Sequence, residues 1–209
     1  MTPPDSHELA GQLSAYIADD RVLAAIATVP RELFVPESEL ERAYDNTALP
    51  IACGQTISQP TVVARMLELL ELSPTDRVLD IGTGSGYHAA LLAVLARTVW
   101  TIERHSELSE RAAAVLRQLG MENVTCIVGD GSRGLERKAP FDAINVAAAT
   151  GLELPRALVA QLAQGGRLIA PVGRRRQHLV RIRRTPDGLI RDRLDPVRFV
   201  PLVRDRDDR

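Results

Sequence analysis

The most constraining feature of this sequence is a regular alternation of short apolar runs with longer segments whose apolar residues recur at helical spacing. The short runs predict strands at RVLDI (77–81), TVWTIE (98–103), VTCIVG (124–129), FDAINV (141–146) and RLIAPVG (167–173). The longer segments predict helices in YHAALLAVLA, SELSERAAAVLRQLG and LPRALVAQLAQGG. Units of about 25 to 30 residues favour right-handed crossovers, and therefore an α/β fold with a doubly wound, mostly parallel sheet and helices on both faces.

The segments on either side of this alternation follow other patterns. Residues 1–59 contain two short helical patterns and a proline-punctuated loop, which predict an N-terminal helical cap, and a further helix is expected to start at Pro60. Residues 60–173 would form the α/β core. Residues 174–203 contain two alternating runs around Pro-Asp-Gly, which predict a C-terminal antiparallel hairpin at the sheet edge, and residues 204–209 a frayed tail. We interpret residues 1–209 as a single domain.

Composition argues against several classes of protein. The formal net charge of -1 gives the whole molecule no attraction to nucleic acid. No apolar run is long enough to span a bilayer and the first residues lack a secretory pattern, so we expect no membrane association and a cytoplasmic location. Cys53 and Cys126 are far apart in sequence and lie near no histidine cluster, so neither a disulfide framework nor a metal site is expected.

A glycine-rich turn follows the first predicted strand directly. The segment DIGTGSGY places Gly82, Thr83, Gly84 and Gly86 where backbone N–H groups can approach a bound ligand at the start of a helix. Tyr87 occupies the place of the third glycine of a dinucleotide fingerprint, which argues against NAD. The alternative is that these glycines only turn the chain.

Two further elements follow the second and third predicted strands. Glu103 stands 17 residues after Gly86, where a carboxylate can accept hydrogen bonds from both hydroxyls of a ribose. Asp130 and Gly131 follow the third strand, where a carboxylate and a backbone N–H could bind an adenine edge. With the glycine turn, these elements resemble the layout of class I methyltransferases, which bind S-adenosylmethionine. Alternatively, Asp130 caps a loop and Glu103 forms a surface ion pair with Arg104.

Several longer blocks resemble the protein-L-isoaspartate O-methyltransferase family. They are VPRELFVP (29–36), AYDNTALPIACGQTISQP (43–60), VLDIGTGSGYHAALLA (78–93), NVTCIVGDGSRG (123–134), APFDAINVAAA (139–149), QLAQGGRLIAPVG (161–173) and FVPL (199–202). Together they extend over roughly residues 20 to 203. The resemblance implies a Rossmann-like methyltransferase fold and methyl transfer from S-adenosylmethionine to the free α-carboxyl of L-isoaspartyl residues, releasing S-adenosylhomocysteine. The ester then closes to a succinimide, which begins the repair of damaged polypeptides.

The same resemblance assigns roles within the block GQTISQP. Ser58 maps to the active-site serine, and Thr56, Ile57 and Ser58 map to a segment that lies against the cofactor. A carboxylate is already ionised at neutral pH, so Ser58 is better interpreted as a donor that positions the substrate than as a covalent nucleophile. Alternatively, Ser58 simply caps the following helix. The four histidines are interpreted as packed or solvated residues and not as part of a Ser-His-Asp hydrolase.

Two positions depart from the commoner family pattern. Ala147 stands where a threonine is frequent, and Val203 follows FVPL where some members carry a hydroxyl residue near the substrate. The basic stretch at 174–184 is interpreted as a solvated edge, although it could also attract an acidic peptide or nucleic acid.

Two alternative functions remain open at this stage. One is an aspartate methyltransferase specialised for a single partner peptide, and the other is a non-catalytic S-adenosylmethionine-binding protein. The expected partners of the main hypothesis are isoaspartyl-containing polypeptides, bound by a monomer.

Overall fold

The structure is a computed structural model that describes residues 5–203, so the predicted frayed tail at 204–209 lies outside the described residues. The helices are α1 (Ser6–Leu13), α2 (Asp20–Thr28), α3 (Pro60–Leu70), α4 (Tyr87–Leu95), α5 (Ser106–Gln118) and α6 (Arg156–Ala160). The strands are β1 (Leu49–Pro50), β2 (Thr56–Ile57), β3 (Arg77–Ile81), β4 (Thr98–Glu103), β5 (Val124–Val128), β6 (Phe141–Val146), β7 (Leu162–Val172), β8 (Gln177–Thr185) and β9 (Gly188–Val197).

Strands β3 to β9 form one sheet in the order β5-β4-β3-β6-β7-β8-β9. Following this order across the sheet, β5, β4, β3, β6 and β7 pair in parallel. Strand β8 pairs antiparallel with both β7 and β9, which confirms the predicted edge hairpin. From β3 the chain first builds outward through β4 and β5 and then returns to add β6 on the other side. This reversal between β3 and β6 opens a crevice at the carboxyl ends of the strands, where doubly wound sheets bind ligands.

One predicted helix is much shorter than its sequence pattern indicated. The segment LPRALVAQLAQGG was expected to be helical up to its glycines, but α6 ends at Ala160 and β7 begins at Leu162. Leu162 pairs with Phe141, and the backbone N–H of Phe141 donates to the carbonyl of Gln161 at 2.9 Å. Strand pairing and burial of Leu162 therefore override the local helical preference.

The N-terminal helices pack directly onto the α/β core. Leu9, Leu13 and Ile26 are buried in the same apolar cluster as Leu67 of α3 and Leu91 of α4. These three residues of the N-terminal helices therefore share one apolar interior with α3 and α4. Within residues 5–203, no helix is both long and apolar enough to cross a bilayer.

Candidate active site

A cleft of about 800 Å³, including its open mouth, lies at the carboxyl ends of β3, β4 and β6. The sequence-predicted residues that line it are Thr56, Ile57, Ser58, Gly82, Thr83, Gly84, Glu103 and Gly131. The fold therefore brings the glycine turn, the strand-end carboxylate and the GQTISQP block to one place.

The glycine turn forms one wall of this cleft. Gly82, Gly84 and Gly86 have φ angles of 88°, 53° and 93°, which other residues adopt only with strain. Gly86 does not line the cleft. A Cβ atom there would lie 3.0 Å from Cβ of Ala112 on α5, so this glycine permits close packing at the start of α4.

A buried polar network behind the turn was not anticipated from the sequence. Asp80 accepts hydrogen bonds from Oγ1 of Thr101 and Nδ2 of Asn145, both at 2.7 Å. Oγ1 of Thr101 lies 2.6 Å from Oγ1 of Thr83, so the network connects three adjacent strands to the glycine turn. Burial raises the pKa of Asp80 to about 6, against the lowering effect of these hydrogen bonds. Polar residues at inward positions of otherwise apolar strands were the signal for this network.

Glu103 is buried at the end of β4, where its carboxylate faces the cleft. Oε2 accepts a hydrogen bond from the backbone N–H of Gly84 at 2.9 Å, and Oε1 accepts one from the N–H of His105 at 3.0 Å. These bonds fix the carboxylate against the glycine turn. Each carboxylate oxygen can accept a further hydrogen bond, so capacity remains for a ligand hydroxyl.

The Asp130 and Gly131 element lies at the other end of the cleft. The carboxylate of Asp130 accepts a hydrogen bond from the backbone N–H of Ser132 at 2.9 Å, and this side chain does not line the cleft. Gly131 does line it. A Cβ atom at Gly131 would lie 2.5 Å from Cγ2 of Ile81, so the turn is packed directly against the end of β3.

The GQTISQP block lies along one side of the cleft, where β2 pairs with β1. Ile57 is buried, whereas Thr56 and Ser58 line both the cleft and a neighbouring surface groove. Ala147 and Val200 also belong to both walls. The cleft and the groove therefore adjoin each other at these shared residues.

Ser58 does not cap α3. The N-cap position is taken by Gln59, and the Ser58 hydroxyl makes no hydrogen bond to any residue between 5 and 203. Instead, Oδ1 of Asn46 accepts hydrogen bonds from the backbone N–H and the hydroxyl of Thr61, at 3.1 and 2.8 Å. The Ser58 hydroxyl is therefore available to a ligand.

Arg31 is the main positioning residue that the sequence did not reveal. It is completely buried and donates from Nε to the carbonyl of Ala43 and from Nη2 to the carbonyl of Ser58, both at 2.8 Å. Its guanidinium carbon lies 4.9 Å from the ring centroid of Tyr87, and no carboxylate within residues 5–203 forms an ion pair with it. Burial lowers the pKa of Arg31 to about 10, so the side chain stays charged at neutral pH.

His88 contributes an uncharged group to the wall of the cleft. The ring is buried, Nε2 has no hydrogen-bond partner among residues 5–203, and burial lowers the pKa to about 4. At neutral pH the ring therefore adds no positive charge beside the site. Within the part of the chain that the structure describes, no cluster of histidine, cysteine or acidic residues could hold a metal ion.

Comparison with known proteins decides the family. The family model for protein-L-isoaspartate(D-aspartate) O-methyltransferase matches residues 6–207 of this chain. A protein-L-isoaspartate O-methyltransferase from Roseiflexus castenholzii is 56% identical over 188 residues, which are 90% of this chain and 86% of that protein. The chain belongs to the protein-L-isoaspartate O-methyltransferase family.

Two solved structures of the same family share the fold over nearly all of this chain. One protein-L-isoaspartate O-methyltransferase has a TM-score of 0.85 at 30% identity, and the match covers 94% of this chain and 65% of that one. Another, from Plasmodium falciparum, was solved in complex with S-adenosyl-L-homocysteine. It has a TM-score of 0.85 at 29% identity, with 97% of this chain and 100% of that chain covered.

The two departures from the family pattern both lie at the site. Ala147 lines both the cleft and the groove, and its backbone N–H donates to the carbonyl of Ile81 at 2.8 Å. Val203 lines the mouth of the cleft and is 49% exposed. This member of the protein-L-isoaspartate O-methyltransferase family therefore presents apolar surface at both positions.

Proposed function

We propose that this chain methylates the free α-carboxyl of L-isoaspartyl residues in damaged polypeptides, with S-adenosylmethionine as the methyl donor. The observation that carries this proposal is the position of Thr56 and Ser58, which line both the cleft and a neighbouring groove on the surface. A methyl group held in the cleft and a carboxylate held in the groove would meet beside these two residues. Family membership supports the same chemistry.

The cleft residues fit S-adenosylmethionine. The glycine turn from Gly82 to Gly84 would hold the methionine end, and Glu103, already fixed by two backbone N–H groups, would accept hydrogen bonds from the ribose hydroxyls. Gly129 and Gly131 would face the adenine, with Asp130 reaching its edge after a rotation of its side chain. When bound, the cofactor supplies an electrophilic methyl group on a sulfonium and is released as S-adenosylhomocysteine.

The residues at the groove would contribute to catalysis by positioning the substrate carboxylate. The substrate carboxylate is ionised at neutral pH because its pKa is about 4, so no general base is required. The hydroxyl of Ser58 would donate a hydrogen bond to this carboxylate and aim it at the methyl group. Arg31 fixes the Ser58 carbonyl from the interior. Neutral His88 adds no positive charge that would oppose binding of a sulfonium cation.

A methyl-transfer assay with matched peptides tests the proposal. The protein is incubated with labelled S-adenosylmethionine and one of three peptides that differ at a single residue: isoaspartyl, aspartyl or asparaginyl. We expect base-labile methyl esters on the isoaspartyl peptide alone. Equal labelling of the aspartyl peptide would support a specialised aspartate methyltransferase instead, and cofactor binding without any labelling would support a non-catalytic binding protein.

The remaining features of the proposal concern the setting in which the enzyme acts. We infer a monomer that acts in the cytoplasm on many polypeptides and does not depend on nucleic acid. Light scattering on the purified protein tests the oligomeric state, and the methylation of unrelated aged proteins tests the breadth of the substrate range.

A further inference from the structure

A second groove with a different character adjoins the groove at Ser58. It is lined by Arg174, Arg175, Arg176 and Arg198, and we call it the arginine groove. The two grooves share the segment Pro196 to Phe199, so they form one continuous surface that leads to the proposed site of methyl transfer.

The walls of the arginine groove are held together by one buried side chain. Oε1 of Gln177 accepts a hydrogen bond from the backbone N–H of Phe199 at 2.6 Å, and its Nε2 donates to the carbonyls of Phe199 and Arg174 at 3.1 and 3.3 Å. Just before the arginines, Gly173 has a φ of 135°, and a Cβ atom there would lie 2.0 Å from the carbonyl oxygen of Arg176. The turn that carries the arginines therefore requires a glycine at position 173.

The arginines of this groove differ from two of the arginines on strand β8. On β8, Arg181 and Arg183 form ion pairs with Asp192 of β9, at 3.2 and 3.4 Å. By contrast, Arg174, Arg175, Arg176 and Arg198 are exposed and form no ion pair with any residue from 5 to 203. Within the basic stretch, Arg181 and Arg183 are therefore paired with an acidic residue, whereas the arginines that line the groove have no acidic partner among residues 5–203.

We propose that the arginine groove binds acidic residues that flank the isoaspartyl residue of a polypeptide substrate. This inference rests on the proposed function, because the groove leads to Ser58. Four unpaired guanidinium groups attract carboxylates by simple charge complementarity. A polypeptide is favoured over nucleic acid because the groove is continuous with the site where an isoaspartyl carboxylate would be held, and because the chain as a whole has a net charge of -1.

Kinetics on paired peptides test this inference. Isoaspartyl peptides carry a block of three glutamates on one flank or the other, and their controls carry three glutamines. For one of the two flanks, we expect kcat/KM at low salt to be about tenfold higher for the glutamate peptide, since each exposed ion pair contributes modestly. The advantage should largely disappear in about 0.5 M NaCl, where exposed charges are screened.

Two triple variants with the same change in net charge test whether the preference for glutamate depends on the arginine groove. Arg174→Gln, Arg175→Gln and Arg176→Gln together should abolish the preference for glutamate while leaving the glutamine peptide unaffected. The matched control combines Arg97→Gln, Arg137→Gln and Arg191→Gln, which replace exposed arginines that lie outside both grooves and form no ion pair within the described residues. The control should keep the preference. If both triple variants lost it equally, net charge alone would be responsible and the groove proposal would be overturned.

Further outcomes separate this inference from the proposed function. Equal kcat/KM for glutamate and glutamine peptides would overturn the groove proposal while leaving isoaspartyl methylation intact. If no isoaspartyl peptide were methylated, the proposed function would fail, and fluorescence anisotropy with a labelled triglutamate peptide would still test the groove against the same two variants. Competition by a single-stranded oligonucleotide, but not by polyglutamate, would assign the groove to nucleic acid and overturn the proposal.

Discussion

The guanidinium of Arg31 donates a hydrogen bond to the backbone carbonyl of Ser58, with a distance of 2.8 Å between Nη2 and the oxygen. Through Nε the same side chain also donates to the carbonyl of Ala43, at the start of the block 43–60 that ends in GQTISQP. A single buried cation therefore supports this block at its start and at Ser58. No acidic side chain among residues 5–203 pairs with this guanidinium, and both of its hydrogen bonds go to backbone carbonyls.

Substituting Arg31 by methionine should reduce turnover far more than cofactor binding. Methionine has a similar length but donates nothing, so the Ser58 segment loses its support, and misplacement of reacting groups should cost about 10- to 100-fold in kcat. The free energy of unfolding should fall by about 2 kcal/mol because two carbonyls lose their donor. Arg31→Lys should recover part of kcat. Calorimetry gives the Kd for S-adenosylmethionine, and steady-state kinetics give kcat and KM.

Arg167 offers a control for this prediction, and unlike Arg31 it also forms an ion pair, with Asp76 at 2.8 Å. Its guanidinium donates to the carbonyls of Leu70 and Asp142, at 2.6 and 3.0 Å, near the end of α3 that is remote from Ser58. Arg167→Met should therefore destabilise the protein without a specific loss of kcat at temperatures where it is folded. Equal losses of kcat in both variants would show that Arg31 acts only through stability.

Removal of the Ser58 hydroxyl should affect catalysis without affecting stability. Ser58→Ala deletes a proposed hydrogen bond to a charged group, so we expect kcat/KM to fall by about 10- to 100-fold. Unfolding in urea should be unchanged because this hydroxyl bonds to nothing between residues 5 and 203. Asn46→Ala is the complementary variant, and it should cost about 1 kcal/mol of stability through loss of the cap on α3 while leaving turnover intact. The reverse pattern would assign the capping role to Ser58.

Asp80 should make the protein less stable as the pH rises from about 4 to about 6. Its pKa is raised from 3.8 to about 6 in the folded state, so its contribution to stability is complete below pH 3.8 and is lost as the pH rises through about 6. A shift of this size corresponds to about 3 kcal/mol. Asp80→Asn removes this dependence, which urea unfolding at a series of pH values would measure.

His88 should have the opposite effect over nearly the same range. Its pKa is lowered from 6.5 to about 4 by burial, so its contribution to stability is complete above pH 6.5 and is lost as the pH falls through about 4, again by about 3 kcal/mol. The two groups should largely cancel in the unmodified protein. Stability should then rise with pH in Asp80→Asn and fall with pH in His88→Gln. Identical pH profiles for all three proteins would refute this balance.

The packing of Gly131 against β3 predicts a specific sensitivity to a single methyl group. Gly131→Ala places a Cβ atom 2.5 Å from Cγ2 of Ile81, and such overpacking should cost about 1 to 3 kcal/mol and weaken cofactor binding. Gly129→Ala is the natural control because the nearest atom to its Cβ would be 4.0 Å away. Thermal unfolding with and without S-adenosylmethionine compares the two. Equal behaviour of the two variants would contradict the packing argument.

Much of the core could be predicted because local pattern and tertiary structure agree there. The strands RVLDI and TVWTIE have the predicted bounds, and α3 begins at Pro60 as its first-turn proline indicated. The prediction that the helix continues beyond Ala160 was wrong, because Leu162 pairs instead with Phe141, which is distant in sequence. No local signal records such a pairing.

The buried residues that support the site were harder to predict than the residues that line the cleft. Glycines and a strand-end glutamate follow a local pattern, so the cleft could be anticipated. Arg31 could not, since its partners are backbone carbonyls 12 and 27 positions away and an arginine is ordinarily expected at the surface. The bonds of Asp80 likewise reach residues 21 and 65 positions away.

The apolar cluster that joins α1 and α2 to α3 and α4 limits how this enzyme can be re-engineered. Leu9, Leu13 and Ile26 lie in one interior with Leu67 and Leu91. Residues 5–59 of a relative with another substrate preference therefore cannot be exchanged as a cassette. Such a chimera would also have to carry over the matching faces of α3 and α4, so specificity is more readily altered from the exposed arginine groove.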